Sequence, residues 1–183
     1  MQTYIENTKE INRPSPDLLR QMWGEAFEKG LSGRFEIRSG SMAPALSVGD
    51  VVEVTKVAPA AVKIGDIAAF QMDRVVVVHR VIGIFPHRSR EGYVFRHLGD
   101  AGVTSQLVPD RRMLGKITAI IKPEKEVNTQ APWYRVKGKA AGRLMQFADA
   151  VRRRPARPGT FKISRLVRPV WRAYRLLQVG IGK

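Results

Sequence analysis

Ser41 stands in the run Arg38-Ser39-Gly40-Ser41-Met42-Ala43-Pro44, just before Leu46-Ser47-Val48-Gly49-Asp50. A serine displayed at a strand end, beside a glycine that admits a substrate backbone, can be a nucleophile once a base takes its proton. His79 lies within Val75-Val76-Val77-Val78-His79-Arg80-Val81-Ile82-Gly83, where a polar ring must find a partner if buried. Asp100 and Asp110 follow in a loop-rich stretch. Serine, histidine and an acid are the parts of a nucleophile, base and orienting group. Each also has a plainer reading: the serine as a turn former, the histidine as a core residue, the aspartates as turn caps. Residue types alone leave both readings open.

The elements that must position these residues are mostly strands. Residues 34–38, 51–57, 67–72, 75–84, 93–98 and 115–121 are short runs rich in β-branched and aromatic residues. Gly49-Asp50, Gly65-Asp66 and Gly99-Asp100 punctuate them as turns. This pattern predicts a mainly β domain, a coiled barrel or sandwich. Ahead of it, Ser15-Pro16-Asp17 reads as a helix start, with Leu18, Leu19, Met22, Trp23 and Phe27 on one side and Gly30 as the stop. The expected organisation is an N-terminal helical segment over residues 1–30, a catalytic β domain over 31–123 and a basic helical tail over 124–183.

Charge supports that division. The chain of 183 residues carries a net +16. Up to Trp133 the net charge is +3, whereas residues 134–183 hold 14 Lys and Arg against Asp149 alone. In this tail Leu144, Phe147, Ala148 and Val151 recur at helical spacing, before a breaker at residues 152–159. Beyond it, Phe161, Ile163, Leu166, Val167, Val170, Trp171, Tyr174, Leu176 and Leu177 alternate with five basic residues. A basic amphipathic segment of this kind suits an anionic membrane surface or docking on its own domain, and suits nucleic acid less.

Composition also excludes chemistry. Without cysteine there is no disulfide, thiol nucleophile or thiolate metal site. There is no phosphate-loop or dinucleotide glycine pattern, so neither a cofactor nor a metal is expected. No apolar run approaches the roughly 20 residues that span a bilayer, and the first residues do not read as a secretory signal. The expected location is the cytoplasm, with peripheral contact at the inner membrane face.

The motifs, taken together, resemble a known family. Ser39-Gly40-Ser41-Met42-Ala43-Pro44-Ala45-Leu46 with Val48-Gly49-Asp50-Val51-Val52 is similar to the first conserved box of type I signal peptidases. Residues 62–70, Val78-His79-Arg80-Val81-Ile82-Gly83, Leu98-Gly99-Asp100 and residues 109–117 resemble the later boxes, in family order across about half the chain. The resemblance implies a serine endopeptidase on the β fold shared with self-cleaving repressors. Ser41 would be the nucleophile and His79 the general base, as in the branch of the family that uses histidine rather than lysine. Arg80 cannot serve as a base at neutral pH. Asp110 would orient the ring, Asp100 would support the loop, and the Ser39 hydroxyl with the Ser41 N–H would form an oxyanion hole. Without the family's usual membrane-spanning helix, a dedicated peptide or protein substrate is expected. Two other classes compete: a non-catalytic peptide-binding module on the same fold, and a self-cleaving repressor-like regulator. Too few residues precede the first strand for a DNA-binding domain and linker, which weighs against the second.

Overall fold

The structure is a computed structural model that describes residues 32–73, 75–89, 91–153, 169, 172–174 and 176. The helix expected between Ser15 and Gly30 lies outside the described residues. Eight strands form one antiparallel sheet curled into a half-barrel, not two sheets packed as a sandwich. They are β1 (Gly33–Glu36), β2 (Val51–Thr55), β3 (Ile67–Met72), β4 (Val75–Pro86), β5 (Tyr93–Leu98), β6 (Gln106–Pro109), β7 (Met113–Lys122) and β8 (Lys125–Asn128). The order across the sheet is β1-β2-β7-β3-β4-β5-β6. The long β7 carries β2 along one edge, and β3 and then β8 along the other.

β6 and β8 are not among the strands expected from the sequence. Gln106-Leu107-Val108-Pro109 buries only Val108, and Lys125-Glu126-Val127-Asn128 buries none of its residues fully. Neither shows the apolar alternation that marks a half-buried strand; both are held by neighbours already in the sheet. Register shifts at Glu53/Val54, Ala69/Phe70 and Val81/Gly83 mark bulges, which bend strands and raise local twist. These are the places where a flat sheet becomes a curled one.

Alternation along the strands supplies a core on both faces. Ile67 and Ala69 join Ile37, Met42, Leu46, Val52, Val54, Ile117 and Ile120, while Ala68 and Phe70 join Val62, Val81, Phe95 and Val108. Among the described residues one long helix, α1 (Pro132–Arg153), lies across β4. It begins before the apolar spacing first becomes evident in sequence, and Ala141 and Met145 bury its inner side against Ile82 and Leu98. Gly138 and Gly142 let it approach the Gly65 turn, where φ is +99°. A Cβ on Gly142 would stand 2.7 Å from the Gly65 Cα. The expected break after this helix begins in residues that lie mostly outside the described ones. Of the segment beyond, residues 169, 172–174 and 176 are helical, and Tyr174 is fully buried against Ile82, Leu98, Ala141 and Met145. No helix among the described residues is long and apolar enough to cross a membrane.

Candidate active site

Ser41 sits in a short 3-10 turn, Gly40–Met42, immediately after β1. The turn is anchored from below: Met42 and Leu46 are buried, while Ser39 is exposed and Ser41 half-buried. The two serine hydroxyls lie 3.2 Å apart. The Ser41 carbonyl accepts a hydrogen bond from the Ala101 N–H at 2.9 Å, which ties the nucleophile turn to the loop after β5. At the head of that loop is Gly99. A Cβ there would stand 2.6 Å from the Ser41 carbonyl oxygen and 3.0 Å from His79 Nε2. The Ser41 carbonyl and the His79 ring therefore meet the same glycine. The two side chains share no direct hydrogen bond.

His79 is half-buried on β4, and its other nitrogen is engaged. Nδ1 lies 3.0 Å from Nδ1 of His97, a residue absent from the sequence-derived site. His97 is fully buried on β5 and stacks on Phe70 with ring centroids 4.7 Å apart. Its Nε2 has no hydrogen-bond partner among the described residues. Burial, and then the neighbouring His79, push the His97 pKa down to about 4. Burial lowers His79 below its ordinary value as well, and the Asp100 charge only partly offsets this. Both rings are neutral near pH 7. The signal for His97 was available in sequence: a second histidine in a strand whose partner carries the first. Only the register, Val81 against His97, shows that the rings share a face.

The two aspartates are placed differently. Asp100 is beside the site, but both its oxygens are taken by Arg80, at 2.9 and 2.7 Å, in a fully buried pair. Arg80 also donates to the Gly65 carbonyl at 2.8 Å, and the Tyr174 hydroxyl is within hydrogen-bonding reach of Asp100. As neighbours on one strand, His79 and Arg80 point to opposite faces, so this pair braces the sheet from the far side. Asp110 does not orient the histidine. Its carboxylate accepts from the N–H groups of Tyr93 and Arg111, at 2.7 and 2.8 Å, at the opposite end of β5 from His97. Tyr93 and His97 are four residue steps apart on the strand, a span of about 13 Å. Asp110 is a turn cap, and its expected role is corrected accordingly.

Ser39 and Ser41 open into a groove of about 640 Å³. One wall is residues 34–38, including β1, and the other is residues 75–78 of β4. β1 pairs only with β2, and β5 joins β4 only from Arg80 onward. Each wall thus offers a strand edge without a ladder partner among the described residues. Such an edge can take up an extended peptide as an added strand. Scanned against protein-family models the chain matches none, and no curated protein matches it.

Proposed function

We propose that the chain is a serine endopeptidase, on a catalytic fold of the type I signal peptidase kind, that cleaves a dedicated peptide or protein substrate. The observation that carries this reading is the approach of the Ser41 carbonyl and His79 Nε2 to one glycine, Gly99, with Ser41 itself lining a groove walled by two strand edges. The substrate lies extended in the groove, with backbone hydrogen bonds to the edges. Ser41 Oγ attacks the scissile carbonyl, and its proton passes to Nε2 of His79. The developing oxyanion is met by the Ser41 N–H and the Ser39 hydroxyl, preorganised donors of a kind whose removal typically costs about 100-fold or more in rate. His79 then gives the proton to the leaving amine, and a water activated by the same ring releases the acyl group. A depressed pKa suits this task, since the ring is unprotonated and ready at neutral pH.

The absence of a direct Ser41–His79 hydrogen bond favours a second reading, in which the groove only holds a peptide; apo geometry is often looser than the reacting complex. A fluorophosphonate probe separates the two. Covalent labelling of the parent that is lost in Ser41→Ala, with the thermal transition unchanged, supports the peptidase. Equal labelling of both proteins, or none of either with peptide binding retained, supports the binding module.

A further inference from the structure

We propose that His97 is the positioning residue for the His79 base, taking the place that an acid holds in a serine–histidine–aspartate set. This rests on the peptidase reading above. For His79 to accept a proton at Nε2, its own hydrogen must sit on Nδ1 and be donated. The atom waiting there is Nδ1 of His97, at 3.0 Å. Neither aspartate can substitute: Asp100 is saturated by Arg80, and Asp110 caps the far end of β5. His97 cannot swing away, because it is fully buried and stacked on Phe70. Since it remains neutral down to about pH 4, the ring keeps one nitrogen lone pair, which accepts this bond when it is on Nδ1. The required tautomer puts its hydrogen on Nε2.

A neutral partner fixes the ring without lending it negative charge. The imidazolium formed in the transition state gains less than it would beside a carboxylate, so the base titrates at lower pH. Of the other charged groups around the pair, Asp100 raises His79, but by less than burial lowers it. Asp100, from the loop after β5, is held by Arg80 of β4 through both its oxygens. Lys116 of β7 lies across Ala68 from His79 and is held by Asp66 at 3.0 Å. The residues of β3 facing the rings, Ala68 and Phe70, carry no charge.

The test measures the rate of Ser41 labelling by the fluorophosphonate against pH, on the full chain and on variants at His97. His97→Phe keeps an aromatic ring against Phe70 and removes the acceptor; labelling at pH 7 is expected to fall about 100-fold. His97→Gln keeps an acceptor and is expected to recover much of that loss. His97→Asp adds a charge and is expected to move the acidic limb up by about one pH unit or more. If His97→Phe does not fold, the Gln and Asp variants decide by rate and by limb. Parent rate and parent pH profile in all His97 variants, with His79→Gln silent, would overturn the positioning role and leave the peptidase standing. Labelling unaffected by Ser41→Ala would overturn the peptidase itself, and the positioning role with it.

Discussion

At the scale of single residues, the site depends on a glycine as much as on its reactive groups. Gly99 lies against both the Ser41 carbonyl and His79 Nε2, and an added methyl would overlap backbone as well as ring. Gly99→Ala is therefore expected to separate the serine from the histidine. A misplacement of about 1 Å can cost about 100-fold in rate. Labelling kinetics on the folded variant would check this, and an unimpaired rate would show the approach to be unnecessary. The buried histidines also set an acid limit on stability. The His97 pKa is about 4 in the fold against 6.5 when exposed, so the unfolded chain binds a proton that the folded chain refuses. Stability is complete above about pH 6.5 and declines toward pH 4, by at most about 1.4 kcal/mol per pH unit for this group. Denaturant midpoints between pH 7 and 4 should show it. In His97→Phe the decline should be shallower.

Among the elements, the helix and the Gly65 turn form the tightest joint. Alanine in place of a helical glycine usually stabilises by about 0.5–1 kcal/mol. At Gly142 the new Cβ would meet the Gly65 backbone at 2.7 Å, and backbone cannot rotate aside as a side chain can. Overpacking costs about 1–3 kcal/mol, which outweighs the gain. Gly142→Ala is expected to lower the melting temperature by several degrees, and an increase would show that α1 rides higher on the sheet. The same joint carries Arg80, whose guanidinium spans from the Gly65 carbonyl to Asp100. Helix docking and the loop that touches Ser41 are thus held by one side chain.

For the whole molecule, the described residues of the basic tail face two ways. Tyr174 turns inward and is buried to 1% exposure, whereas Leu176 is 67% exposed. Burial, and then the Asp100 charge, push the Tyr174 hydroxyl well above its ordinary pKa, so it stays protonated. Tyr174→Ala should cost about 3 kcal/mol, the usual loss for truncating a buried aromatic residue. Calorimetry measures it, and an unchanged transition would mean that the tail does not dock. We propose that the basic tail also meets an anionic membrane. Each basic residue near such a surface contributes about 1 kcal/mol, an attraction that salt screens. Flotation with anionic vesicles is expected to carry the full chain at low salt and to release it at high salt. Equal flotation with neutral lipid would remove the membrane role.

Much of this protein was legible in sequence because it rests on local rules. Residues 67–72 and 93–98 were bounded correctly from apolar runs and turn residues, as the strands β3 and β5 are. Ser41 and His79 stood out by type and by the motifs around them, and Asp100 by its Gly-Asp turn. Tertiary structure decided the rest. Whether Asp100 or Asp110 approached the histidine depended on strand register and on which partner satisfied each carboxylate: Arg80 claimed one and backbone N–H groups the other. β6 and β8 are strands through pairing rather than propensity, so their residues carry little sign of it. His97 became the partner of His79 only when β4 and β5 paired with Val81 opposite His97. A hydrogen bond between side chains from separate strands is a property of that register, and neither strand encodes it alone.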